Sequence, residues 1–206
     1  MNLPKENSSL NKIIASCVEN DIPRIKSGSG EILSLIATLV HAQNILEIGT
    51  GSGYSAVYLA SRLEKKVSIV TIEKDKRVFH IARRNVENTP YAANITCINS
   101  DALLWLQNHI GTYDFIFVDG KKSEYHLYLK QCYSLLKKGG AIVFDDVLFS
   151  PTSHAEKNMM KQIYIMLIER RLVRYFTSFN RSIMRDSRFR AFFIPIENGL
   201  CAGIKA

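Results

Sequence analysis

Cysteine is sparse in this 206-residue chain, and no two cysteines stand at ligand spacing. Cys17, Cys97, Cys132 and Cys201 lie far apart with no C-x-x-C among them. That excludes a zinc ribbon or a disulfide scaffold and leaves four buried thiols of a cytoplasmic protein. Long apolar runs are absent too. None approaches the ~20 residues needed to cross a bilayer, so no membrane partner is expected. The opening MNLPKENSSLNK lacks the basic-then-apolar layout of a secretory leader, which again points to the cytoplasm. There is no internal repeat, low-complexity tract or linker. The expectation is one domain over 1–206, with N-terminal helices over 1–42 and a core over 43–206. With 47% apolar and 22% charged residues, the composition is ordinary for a globular chain.

Acid is the other shortage: 19 Asp and Glu against 27 Lys and Arg, a net charge of +8. The imbalance sits late in the chain. Residues 170, 171, 174, 181, 185, 188 and 190 are arginines and Asp186 is the single acid among them, a net +6. Two readings stay open: a solvated basic helix face, or a phosphate-contacting surface for a nucleic acid.

What the chain does have is rhythm. Helical apolar spacing over 8–20 and 28–42 is broken at Asp21-Ile22-Pro23. Strands are expected at ILEIG (45–49), Val67 to Glu73, Asn94 to Ile98, Tyr113 to Val118 and Ala141 to Phe144. Helices are expected over Asp75 to Val86, Asp101 to Asn108 and Tyr125 to Leu136, with a turn at Lys137-Lys138-Gly139-Gly140. Repeated β-α-β units with short links imply right-handed crossovers and an α/β fold, a parallel sheet covered on both faces. After Pro151 a long helix from about His154 to Met184 is expected, then strands Ala191 to Ile196 and Leu200 to Ile204 around the turn Glu197-Asn198-Gly199.

The densest signal is ILEIGTGSGYSAVYLA, residues 45 to 60. A buried strand, a glycine turn and a helix N-terminus follow one another, as in open sheets that hold nucleotide-like cofactors. Glycine lets the backbone approach a ligand, and free N–H groups at the helix start attract an anion. A dinucleotide fingerprint would need a small residue where Tyr54 stands. G-x-G-x-G after an acid resembles motif I of S-adenosylmethionine-dependent methyltransferases, with other Rossmann-like folds or a plain glycine turn as alternatives. Ligands of such sheets sit beyond the carboxyl ends of the strands. Glu73 closes the second strand about twenty residues past the glycines, where a carboxylate accepts ribose hydroxyls. Asp101 opens a helix and serves as an N-cap, an adenine-edge contact, or both. Asp119 ends the fourth strand, and Asp145 and Asp146 end the fifth. Adjacent strands lie ~4.8 Å apart, so three carboxylates converge. They repel unless neutralised, and a hard divalent cation is the natural counterion. Caps, or pairs with Lys121 or Lys122, are the alternative.

In order along the chain, ILEIGTGSGYSA, VTIEKDK, FIFVDGKKSEY, LLKKGGAIVFDDVLF and FIPIENGL resemble the motifs of the cation-dependent O-methyltransferases. That family contains the catechol and caffeoyl-coenzyme A O-methyltransferases and many bacterial relatives. The resemblance covers the chain from about Ile22 to its end. It implies a Rossmann-like class I methyltransferase fold: a mostly parallel seven-stranded sheet with a C-terminal antiparallel hairpin and helices on both faces. It implies S-adenosylmethionine as donor, Mg²⁺ (or Mn²⁺ or Ca²⁺) on Asp119, Asp145 and Asp146, and Lys122 as base, with Asp119 also catalytic. By the same resemblance Glu47, Gly49, Gly51, Tyr54, Ser55 and Asp119 lie against the donor, Glu73 binds its ribose, and Asp101 and Ala102 flank its adenine. A homodimer is the family habit. Two departures stand out. Asp146 occupies a position where the family has Asn, and the final turn reads Asn198-Gly199-Leu200 where the family has D-G-L.

The resemblance implies an acceptor with two neighbouring oxygens. Catechol-like small molecules meet that demand, and so does 5-hydroxyuridine in tRNA. The pattern is similar to the bacterial tRNA 5-hydroxyuridine methyltransferases in I-P before the second helix, T-I-E at the second strand and D-x-V-L-F after the fifth. With the arginine stretch, this favours tRNA. Trp105, Tyr125, Phe176 and Phe179 are candidates for base stacking or for core. A non-catalytic RNA-binding module on the same scaffold is the rival of another class. A nicotinamide-dependent reductase is disfavoured by Tyr54 and the terminal hairpin.

Overall fold

The computed structural model describes residues 8–63, 67–148 and 159–206, with backbone alone over 159–170 and at 172. Five strands run parallel: β1 (Asn44–Ile48), β2 (Ser68–Glu73), β3 (Ile95–Asn99), β4 (Tyr113–Val118) and β5 (Leu136–Phe144). The hairpin β6 (Phe189–Ile194) and β7 (Leu200–Lys205) closes the sheet, with β7 antiparallel to both β5 and β6. The order is β3-β2-β1-β4-β5-β7-β6. From β1 the chain steps outward to β3, then crosses back to β4. The crevice past the ends of β1 and β4 is therefore a topological switch point, the place where such sheets bind ligands.

The strands form here because both faces are covered. Leu46, Ile48, Ile116 and Val118 face one side, and Ile45, Phe115 and Phe117 the other, all with 1% exposure or less. Helices α1 (Ser8–Asn20), α2 (Ser27–Leu39), α3 (Tyr54–Arg62) and α4 (Lys76–Glu87) cover the face of Ile45 and Phe115. Helices α5 (Ala102–Asn108), α6 (Tyr125–Leu135) and α7 (Met159–Arg185) cover the opposite face. Each large aliphatic side chain so buried contributes about 1.5–3 kcal/mol. Side-chain caps fix two helix starts: Asp75 accepts from the Val78 N–H, and Asp101 from those of Leu103 and Leu104.

The turn expected at Lys137-Lys138-Gly139-Gly140 lies inside β5 instead. Tyr113 pairs with Leu136 and Phe115 with Ala141, so the four residues bulge out of the ladder without ending it. Gly139 takes φ +77, and a Cβ on Gly140 would come within 2.8 Å of the Asp114 carbonyl oxygen. The turn chemistry is real, but sheet pairing on either side absorbs it. β6 begins and ends two residues before the expected bounds, and β7 begins at the expected Leu200 and ends one residue later. The expected helix start at His154 falls outside the described residues. Among the described residues no helix is long and apolar enough to cross a membrane.

Candidate active site

The carboxyl ends of β1, β2, β4 and β5 open onto a cavity of about 480 Å³. Gly49, Gly51, Tyr54, Ser55, Glu73, Asp119, Lys122, Asp145 and Asp146 all line it. A second cavity of about 280 Å³ shares Gly49, Glu73 and Asp119 with the first and continues to Asp101 and Ala102. Together the two form a trough from the tip of β5 to the start of α5.

At the glycine-loop end the backbone is turned tightly. Gly49, Gly51 and Gly53 have φ of +97, +53 and +83, conformations that side chains rarely adopt. A Cβ on Gly49 would lie 2.3 Å from the Asp119 carbonyl oxygen, so β4 and the loop touch only because this residue is glycine. Glu73 Oε2 accepts from the Gly51 N–H at 3.1 Å and Oε1 from the Asp75 N–H at 2.9 Å. That fixes its carboxylate at the edge of the trough. Asp101 is held by Lys74 at 2.6 Å, and that hydrogen bond lowers its carboxyl pKa.

Glu47 lines neither cavity. It is fully buried beneath the glycine loop, and its register partner on β2, Thr71, donates to it at 2.5 Å. Thr71 in turn meets Thr50 of the loop at 2.7 Å. Burial pushes the Glu47 carboxyl up to about 7, against hydrogen bonds from Ser55 and Thr71 that lower it. The acid before the glycines braces the loop from below.

At the other end Asp119, Asp145 and Asp146 bring carboxylate oxygens within 4.8 Å of one another. Burial, then the charges of Asp119 and Asp146, push Asp145 up to about 7. Burial also raises Asp119, although Lys122 pulls it down. Lys122 Nζ bridges Asp119 at 2.7 Å and Asp146 at 3.1 Å, and donates to the Tyr125 hydroxyl at 3.0 Å. Burial works to lower its pKa. The Tyr125 oxygen and the two carboxylates outweigh burial and hold Lys122 above the ordinary lysine value. Tyr125 donates to the Asp145 carbonyl oxygen at 2.8 Å, tying α6 to the tip of β5. Glu124 is taken by Lys121 at 2.7 Å, which leaves Lys122 to the acid cluster.

Three carboxylates facing one ammonium are under-neutralised, and all their donor atoms are oxygen. That set fits a hard divalent cation and no soft one.

Several lining residues were not among the site residues expected from the sequence. Arg24 and Lys26, between α1 and α2, wall the cavity, and the Arg24 guanidinium lies 4.9 Å from the Tyr54 ring centroid. Asn198 reaches in from the β6–β7 turn and donates to Asp146 Oδ1 at 3.0 Å. Asp146 and Asn198 are the two departures noted in the sequence, and they touch. Only the strand contacts of β5 and β7 reveal that pairing.

Of the four aromatics considered for base stacking, Tyr125, Phe176 and Phe179 are core, with 4% exposure or less. Trp105 is half-buried and stacks on His109, ring centroids 3.9 Å apart. On α7, Arg174, Arg181 and Arg185 share a shallow groove with Thr177, Ser178 and Ser182. All six are exposed, and no acid lines the groove among the described residues. Asn180 donates to the Val147 carbonyl oxygen at 2.9 Å, so this stretch of α7 stands level with the acid cluster. The side chain of Arg170 lies outside the described residues.

A family model described as O-methyltransferase matches residues 5–205. Caffeoyl-CoA O-methyltransferase 1 of Nicotiana tabacum is 30% identical over 181 residues, covering 83% of this chain and 72% of that protein. Among solved structures, the O-methyltransferase of Bacillus cereus in complex with SAH superposes with a TM-score of 0.80 at 25% identity. That match covers 98% of this chain and 93% of the other. TomG of Streptomyces achromogenes, an O-methyltransferase in complex with SAM, gives 0.81 at 24% identity, covering 99% and 92%.

Proposed function

The chain belongs to the O-methyltransferase family, and from that premise we propose cation-dependent transfer of a methyl group from S-adenosylmethionine to a hydroxyl beside a second oxygen. The observation that carries the reading is the acid cluster with Lys122 in the same trough as the glycine loop. The sulfonium donor already holds a reactive methyl group. The protein's work is to align it and to raise the nucleophilicity of an oxygen.

In this reading the donor's methionine end lies on the backbone of Gly49 and Gly51 and at the start of α3, beside Tyr54 and Ser55. Glu73 accepts its ribose hydroxyls, and Asp101 and Ala102 flank the adenine. Asp119, Asp145 and Asp146 hold the cation. When bound, Mg²⁺ or a similar cation neutralises these carboxylates and lowers the pKa of a hydroxyl that chelates it. In the structure those carboxylates and the Tyr125 oxygen hold Lys122 above the ordinary lysine value. It would serve as base only with the carboxylates engaged by the cation, when burial is opposed by the Tyr125 oxygen alone. Its Nζ then takes the proton of the attacking hydroxyl.

The acceptor is 5-hydroxyuridine in tRNA, whose 5-hydroxyl sits beside the 4-carbonyl oxygen. Two features favour RNA over a small catechol. Net charge is +8, and the α7 groove presents arginines with hydroxyls between them, the groups that bind phosphates. Offering the purified protein S-adenosylmethionine with tRNA lacking 5-methoxyuridine, in competition with a catechol, tests the choice. Nucleoside mass spectrometry should find 5-methoxyuridine. Methylation of the catechol alone would assign the second class of acceptor and leave the arginines as a solvated face.

A further inference from the structure

Asp146 stands at the tip of β5 with φ +53, a backbone conformation that aspartate tolerates better than most residues. Its two carboxylate oxygens have different partners. Oδ1 accepts from Asn198 Nδ2 at 3.0 Å, and Oδ2 faces Lys122 Nζ at 3.1 Å. The amide comes from a turn that is itself clamped on two sides. Toward β5, the Val147 N–H donates to the Gly199 carbonyl oxygen at 3.1 Å and the Leu148 N–H to that of Asn198 at 2.8 Å. Toward α2, Ser29 Oγ donates to Glu197 Oε2 at 2.5 Å. Gly199, at φ +81, lets the turn lie against Leu148, where a Cβ would come within 2.4 Å. The amide of Asn198 is thus presented at a fixed place.

We propose that Asn198 is a positioning residue for the cation site. Its amide N–H holds Oδ1 of Asp146, which sets the carboxylate's rotation and keeps Oδ2 turned toward Lys122, Asp119 and Asp145. Asp146 and Asn198 form a matched donor–acceptor pair across the β5–β7 junction, in which one member must be an amide and the other a carboxylate. A second carboxylate at 198 would face Asp146 at about 3 Å in an already acid-rich site and would repel it. An amide at both positions would keep a hydrogen bond between them but leave the acid cluster one negative charge short. Exchanging the two residues restores one amide against one carboxylate with the same hydrogen bond, reversed in direction. This inference rests on the reading of Asp119, Asp145 and Asp146 as cation ligands.

The test is a double-mutant cycle on the full chain: wild type, Asp146→Asn, Asn198→Asp and the reciprocal double variant. Mn²⁺ affinity is measured by paramagnetic resonance in the absence of donor and acceptor, with melting in chelator as a check of the fold. Each single change should weaken Mn²⁺ binding at least about tenfold, Asp146→Asn by removing a charge from the site and Asn198→Asp by losing the hydrogen bond to a charged group. The double exchange should return to within about threefold of wild type, a rescue that a merely structural turn residue would not produce. Asn198→Ser, which keeps a donor on a shorter side chain, should fall between wild type and Asn198→Asp and serves if Asn198→Asp does not fold. Wild type that binds Mn²⁺ with effects that simply add in the double variant would overturn the pairing. Wild type that takes up no Mn²⁺ would overturn the cation reading itself, and the positioning role with it.

Discussion

The cavity floor and the α7 groove carry opposite charge under opposite conditions. On the floor, Asp119, Asp145 and Asp146 crowd within 4.8 Å, and Asp145 is 8% exposed. In the groove, Arg174, Arg181 and Arg185 stand in water on a helix whose other face, with Phe176, Phe179 and Ile183, packs the core. Crowded, half-buried carboxylates cost stability unless a ligand offsets them, so their convergence is strong evidence of a site. Exposed arginines cost the fold little, so their clustering weighs less and its effect is spread over several residues. One region should fail at a single substitution. The other should weaken by degrees.

The largest effect belongs to the floor. Lys122→Met should lower kcat about 10²- to 10⁴-fold, the range for loss of a general base, with donor affinity unchanged by calorimetry. Asp145→Ala should do at least as much. Loss of donor binding in both variants would make the cluster a structural element and break the contrast with α7.

Beneath the glycine loop, Glu47 separates buried charge that serves chemistry from buried charge that braces the fold. Its carboxyl stands at about 7 in the fold against 4.5 ordinarily. A raised carboxyl pKa favours the protonated native state. The native state is therefore penalised above pH 7 by about 3 kcal/mol, and the penalty fades as the pH falls toward 4.5. Glu47→Gln should gain stability relative to wild type at pH 8 and lose that advantage by pH 4.5, read from denaturant melts at both. An advantage independent of pH would mean that Glu47 is ionised by a partner.

Glu73→Gln sharpens the comparison within the trough. Removing the charge from the proposed acceptor of the ribose hydroxyls should weaken donor binding about 10- to 100-fold while leaving kcat at saturating donor nearly unchanged. A fall in kcat alone would move Glu73 from binding to chemistry.

The smallest effect per residue belongs to the groove. Each of Arg174→Ala and Arg181→Ala should reduce the slope of log affinity for tRNA against log salt by about 0.7–0.9, and the double variant by roughly twice that. Filter binding over a salt series reads it. Slopes that stay at the wild-type value would make α7 a solvated face.

Much of this was legible in the sequence, and the residues show why. Glycines with an acid before them, acids at strand ends and an apolar alternation broken by short turns are local signals with local causes. They located the sheet, the trough and the acid cluster. Long-range pairing left no such mark. Nothing in the local pattern says that Asn198 meets Asp146 across 52 positions, because the contact exists only once β7 lies beside β5. Arg24 and Lys26 belong to a break between helices whose place over the cavity is set by packing of α1 and α2 on α3. Glu47 misled in the other direction. Its position before the glycines suggests a ligand contact, but its register partner Thr71 draws it under the loop. Lys137 to Gly140 have turn chemistry, and sheet pairing made them a bulge.

The most direct test of the account is methyl transfer from tritiated S-adenosylmethionine to tRNA lacking 5-methoxyuridine, before chelation, after it, and after Mg²⁺ is restored. Label should appear in 5-methoxyuridine, disappear with chelator and return with Mg²⁺. Label that persists through chelation at an unchanged rate would contradict it, because the three carboxylates on the cavity floor would then have no part in the reaction.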